Sequence, residues 1–161
     1  ADRLRMIREL ACASGSRGMA GGQALDMQAT GQEIDLAQLE NLHIHKTGAL
    51  ILASVRLGAL SAGAVADARL EGLEHYARCL GLAFQVCDDI LDVTGESGVI
   101  GKTAGKDAAA QKATYPALIG LDGAREMATN LVEEALDNVA ALGERGEPLR
   151  QLARYVIDRK H

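Results

Sequence analysis

"GLAFQVCDDILDVTGESGVIGKT", residues 81–103, decides the fold, because its two halves call for different ones. The first half ends in three aspartates, Asp88, Asp89 and Asp92, spaced D-D-x-x-D. The second half ends in Gly101-Lys102-Thr103, like a nucleotide-binding P-loop. A P-loop follows a buried strand and opens a helix, so it would make the protein α/β. It also needs four residues between its first glycine and the Gly-Lys-Thr, and that first position is occupied here by Glu96. Upstream, Leu82, Ala83, Phe84, Val86, Ile90 and Leu91 recur as on a mostly buried helix. The stretch therefore reads as the end of a long helix followed by a loop, and the P-loop is set aside.

The rest of the chain agrees. Helical signals cover about 2–13 and 17–29, on either side of Gly15. Asp35, with Gln38 three residues on, forms a capping-box pattern ahead of a helix expected to reach Leu60. A second long helix is expected from Ala64 to Val93, closed by Gly95, then a loop over 94–113. Pro116 suits a helix start, with Ala124, Met127, Ala128, Leu131, Ala135 and Leu136 at helical spacing behind it. Leu149, Leu152, Ala153 and Val156 repeat the pattern after Pro148. No strand-like alternation, internal repeat or low-complexity tract interrupts it, so the fold class is all-α.

Composition narrows the function. Of 161 residues, 48% are apolar, which excludes disorder, and 2% are aromatic, which favours closely packed aliphatic helices over a β-sandwich. A net charge of −5 argues against a nucleic-acid groove. An anionic ligand would need a local cluster of Lys and Arg, or metal ions. Cys12, Cys79 and Cys87 have no C-x-x-C spacing and read as reduced core thiols of a cytoplasmic protein. With Asp88 beside it, Cys87 is a poor thiolate. No secretory signal is present, and Arg56 breaks the most apolar run, which excludes a membrane span. The chain opens on "ADRLRMIREL", without an initiator Met and already helical, as a piece of something longer would.

The aspartates are costly where they stand. Asp88 and Asp92 share a helix face, and like charges at that spacing cost about 0.2–0.5 kcal/mol per pair. The end of a helix also favours cations, a mismatch of about 0.3–1 kcal/mol for each carboxylate. A solvated acidic helix end is one reading. A Mg²⁺ site is the other, since Mg²⁺ is held by one or two carboxylates together with substrate phosphates. Lys102, Lys106 and Lys112 follow and suit phosphate. Lys46 and Thr47 fall mid-helix in "HIHKTGALI", where a lysine either snorkels to solvent or faces an anion. His43 and His45 are two residues apart and face different sides. Glu40 and His43 make an E-x-x-H pair, but the second pair that a di-iron bundle needs is absent.

Four stretches then match a known pattern. "GLAFQVCDDILDVTGE" resembles the second aspartate-rich motif of trans-isoprenyl diphosphate synthases, the polyprenyl synthetase family. "GGQALDM", "HIHKTGALI" and "GKTAGKDAAAQKATYPALIGL" resemble other family motifs, in the same order and at similar spacing. Among family members the chain most resembles the bacterial farnesyl diphosphate synthases (geranyltranstransferases). The resemblance implies an all-α helical bundle around a central cavity. It also implies prenyl transfer: an allylic diphosphate ionises, isopentenyl diphosphate attacks the allylic cation, and a proton is lost to pyrophosphate.

By the same resemblance, Asp88, Asp89 and Asp92 hold Mg²⁺. Lys46, Thr47, Gln85, Lys102 and Lys112 contact the allylic diphosphate, and Lys46 and Thr47 also stabilise the cation. Gln23 and Asp26 face the cavity, and Arg159 and Lys160 help to close it. A cytoplasmic homodimer is implied as well. The first aspartate-rich motif and the arginines after it are missing, so residues 1–161 resemble the C-terminal portion of one polyprenyl synthetase domain. On that reading a partner segment carries the N-terminal half, and the 161-residue chain alone is inactive. A class I terpene cyclase and a non-catalytic subunit are the alternatives. The Lys46-Thr47-Gly48 and Gly101-Lys102 motifs favour chain elongation, and the intact aspartates favour a catalytic parent.

Overall fold

Asp35 starts the helix that carries Lys46, and it does so as the capping box requires. Its carboxylate accepts from the Gln38 backbone N–H at 2.8 Å, and the Gln38 side chain accepts from the Asp35 N–H at 2.9 Å. The structure is a computed structural model that describes residues 2–63, 67–94 and 112–159. Its helices are α1 (Asp2–Ser14), α2 (Met19–Ala29), α3 (Leu36–His43), α4 (Ala49–Ser61), α5 (Asp67–Thr94), α6 (Tyr115–Asn138) and α7 (Glu147–Asp158). A π-helical turn, Ile44–Gly48, joins α3 to α4, and a 3₁₀ segment, Ala140–Gly146, precedes α7. The described residues contain no strand, as the all-α reading requires.

The expected boundaries hold to within a few residues, with one difference. The single helix expected after Asp35 is broken by the π turn, and that turn contains Lys46 and Thr47. The expected start at Ala64, the stop at Gly95 and most of the 94–113 loop lie outside the described residues.

The core is built on α5 and α6. Asp89 near the end of α5 bonds to Tyr115 at the start of α6, and Gly72 lies against Asn138 at the far end, so the two run antiparallel. Their shared face carries Tyr76, Cys79, Leu80, Ala83, Val86 and Cys87 from α5, and Ala124, Ala128, Val132 and Ala135 from α6, all buried. Small residues at these positions let the helix axes come close, which compensates for the shortage of aromatics. Fully burying a valine such as Val86 contributes about 1.5–3 kcal/mol. Tyr76 is fully buried, and its hydroxyl donates to the Leu149 carbonyl at 2.8 Å, joining α7 to the core.

Two further features set the site. Gly22 lies so close to the π turn that a Cβ there would overlap the backbone of His45 and Lys46, which fixes α2 against the turn. On the other side a Cβ at Gly81 would stand 3.2 Å from the Gly48 Cα, so α5 also packs tightly on the turn. Arg56, the charge that interrupts the apolar run, bonds Glu74 of α5 at 2.8 Å and Glu9 of α1 at 3.3 Å. No helix among the described residues is long and apolar enough to cross a membrane. Leu4, Ile7 and Leu10 form an apolar stripe on α1 that is exposed here.

Candidate active site

A polar cleft of about 130 Å³ opens where α2, the end of α3, the π turn, α5 and residues 112–113 meet. It brings together Asp26, Lys46, Gln85, Asp88, Asp89 and Lys112, all proposed from sequence, along with His43. Lys46 donates to Asp26 Oδ2 at 2.7 Å. Lys112, 86 residues further along than Asp26, donates to both its oxygens at 2.9 and 3.1 Å. Burial alone would raise the Asp26 pKa, but the hydrogen bonds and charges of the two lysines outweigh it and hold the carboxyl below its ordinary value. Two ammonium groups on one carboxylate leave one positive charge and spare N–H donors for an anion.

His43 forms part of the inner wall. It is buried, and its Nδ1 lies 3.4 Å from the Tyr115 hydroxyl. Burial, helped by Lys46 and Lys112 and opposed by Asp26, lowers its pKa from 6.5 to about 4, so the ring is neutral at pH 7. His45 points elsewhere, its Nδ1 within 2.8 Å of the Asn41 carbonyl oxygen. The two histidines do not converge, as their spacing implied.

The three aspartates are not equivalent. Asp88 is exposed, and its Oδ1 lies 3.4 Å from the Arg159 guanidinium. Arg159 also donates to the Phe84 carbonyl at 2.8 Å and stacks on the Phe84 ring at 3.9 Å. Asp92 is half-buried, one turn beyond Asp88 on the same helix face. Asp89 is only 8% exposed, and its Oδ2 accepts from the Tyr115 backbone N–H at 3.0 Å. Among the described residues no three His, Cys, Asp or Glu side chains gather into a metal cage. Asp88, exposed at the cleft, and Asp92, one turn on, offer the hard oxygen donors that suit Mg²⁺, which is held by one or two carboxylates together with waters and substrate phosphates.

The other candidates fall as follows. Thr47 is half-buried in the π turn and does not line the cleft, nor does Asp92. Gln23 is exposed on α2 and also lies outside the cleft. Lys102, Lys106 and Lys160 lie outside the described residues. Both core thiols are poor nucleophiles: burial, with a nearby Glu134, pushes Cys79 up to about 11, and burial also raises Cys87.

Sequence reasoning missed Tyr115 and considered His43 only as a metal ligand. The available signals were the Thr114-Tyr115-Pro116 helix start directly after Lys112, and a histidine three residues before Lys46.

The cleft sets two lysines beside carboxylates at a helix end of an all-α bundle, and comparison with known proteins says which class of fold this is. The chain belongs to the polyprenyl synthetase family, whose model matches residues 3–147. It is similar to the farnesyl diphosphate synthase of Escherichia coli K12, at 52% identity over 98% of this chain and 54% of that protein. Among solved structures, an FPP/GFPP synthase from Zymomonas mobilis superimposes with a TM-score of 0.83 at 37% identity, over 96% of this chain and 51% of that one. A Helicobacter pylori geranyltransferase complexed with magnesium and isoprenyl diphosphate does so at 0.81 and 33%, over 98% and 51%. The chain spans about half the length of the relatives it matches.

Proposed function

We propose that this chain forms one wall of the active site of a short-chain prenyltransferase making farnesyl diphosphate from an allylic diphosphate and isopentenyl diphosphate. The observation that carries the reading is the convergence of Lys46 and Lys112 on one cleft, through Asp26, with Asp88 also lining it. The names of its relatives support the same chemistry.

In this reading Lys46, Lys112 and the Gln85 amide bind the allylic diphosphate, and Lys102 is assigned to the same ligand. Asp88 and Asp92 would hold Mg²⁺, which when bound would neutralise charge on the leaving pyrophosphate. The lysines act on the same developing charge, and they do so without reorganising because Asp26 already holds two of them in place. Thr47 and the turn's carbonyls face the cation. Apolar helices keep water from it. The second wall, with the other aspartate-rich motif, comes from the rest of the protein.

The test is a product assay with Mg²⁺ on the full-length enzyme. Lys46→Ala and Lys112→Ala should each lower kcat/KM for the allylic diphosphate about 100-fold, the loss expected when a stabiliser of developing charge is removed. Near-normal kcat/KM in both variants would refute the diphosphate role.

A further inference from the structure

The D-D-x-x-D motif invites one role for all its members, and the geometry divides them. Asp88 is exposed at the cleft, whereas Asp89 is buried and bonded to the first backbone N–H of α6. That N–H belongs to the set a helix leaves without an internal partner, and a carboxylate there also meets the positive end of the helix dipole. Thr114 adds a second cap, its Oγ1 accepting from the Ala117 N–H at 3.3 Å. Lys112 lies three residues before Tyr115, and Tyr115 reaches His43, one turn before Lys46.

We propose that Asp89 is a positioning residue, not a metal ligand: it pins the start of α6 and so sets Lys112 against Asp26. This rests on the diphosphate reading of the cleft. The metal chemistry of the motif then falls to Asp88 and Asp92. If Asp89 turned outward to a metal, it would leave the buried Tyr115 N–H unpaired.

The two roles respond differently to one conservative change. Asparagine keeps an acceptor oxygen and caps helices as well as aspartate does, but it lacks the charge that Mg²⁺ needs. In the full-length enzyme, Asp89→Asn should leave the Mg²⁺ half-saturation concentration and Tm close to wild type. Asp88→Asn should raise that concentration roughly tenfold or more, because it removes a charged oxygen ligand. Asp89→Ala should raise KM for the allylic diphosphate roughly tenfold, by losing Lys112, and lower Tm, both restored by asparagine. An Asp89→Asn enzyme with a Mg²⁺ requirement as poor as that of Asp88→Asn overturns the proposal, as does an Asp89→Ala enzyme with wild-type KM and Tm. Where Asp89→Ala does not fold, Asp89→Asn alone decides. Failure of the diphosphate reading shows separately, as near-normal kcat/KM for the allylic diphosphate in Lys112→Ala.

Discussion

His43 should make the fold acid-sensitive in a window where few other groups titrate. The perturbation is a drop from pH 7 to pH 5. The native ring has a pKa of about 4, against 6.5 when exposed, because it is buried and two lysines face it while Asp26 only partly offsets them. Between those values the unfolded chain binds a proton that the folded chain refuses. Stability from the neutral, buried ring is therefore full above pH 6.5 and is lost as pH falls toward 4. The slope approaches about 1.4 kcal/mol per pH unit, and about 2 kcal/mol is lost between pH 7 and pH 5. Asp26 titrates below this window, since its pKa is held under the ordinary 3.8. The assay is urea unfolding followed by circular dichroism at pH 7, 6 and 5, on the wild type and on His43→Asn. His45, His75 and His161 are present in both proteins and cancel in the difference. The wild type should lose about 2 kcal/mol more than the variant. Equal slopes, or an NMR titration placing the His43 midpoint near 6.5, would refute the burial argument.

Three further outcomes are expected. Gly22→Ala should destabilise by about 3 kcal/mol or more and weaken allylic diphosphate binding, because the new methyl meets the backbone of Lys46 and nothing there is free to rotate away; urea unfolding and KM report the two effects. Tyr76→Phe should cost about 1 kcal/mol, the loss of its bond to the Leu149 carbonyl, with no change in KM. The 161-residue chain, assayed alone with Mg²⁺ and confirmed by an intact mass near 16.9 kDa, should form no farnesyl or geranyl diphosphate. Robust product from that species would show that one wall is enough.

The helices were legible in the sequence because their signals are local. Asp35 and Gln38 form the capping box their spacing implies, and Pro116 and Pro148 sit in first turns. Lys46 and Lys112 stood out in the sequence as cations suited to an anion, whereas Asp26 was legible as a site residue only through the resemblance. Their mutual bonds span 20 and 86 residues, which no periodicity encodes. The π turn was not legible, since nothing in "IHKTG" forbids an α-helix. Its surroundings are tertiary: Gly22 and Gly81 let α2 and α5 approach the turn closely. π-helical turns within α-helices recur at functional sites, and this one carries Lys46 and Thr47. The division among the aspartates was hidden for a similar reason. Asp88 and Asp89 are neighbours in sequence, but successive residues on a helix point about 100° apart, so one faces the cleft's water and the other the start of α6.

Asp26 explains how two lysines can share one small cleft. Both ammonium nitrogens lie within 3 Å of the same carboxylate oxygen, and so within about 6 Å of each other. At that separation two unit charges in a partly shielded site repel by about 3 kcal/mol. Left alone they would swing apart into solvent. Asp26 cancels the repulsion and holds both side chains, at the cost of competing with any anion that enters. A diphosphate carries more charge than one carboxylate and offers more oxygens, so it can engage the spare N–H donors of both lysines while Asp26 keeps its own bonds. On the proposed reading, the carboxylate thus does before binding part of what the diphosphate does after it. In that reading the lysines reach the reaction already placed, so little of the binding energy is spent on ordering them.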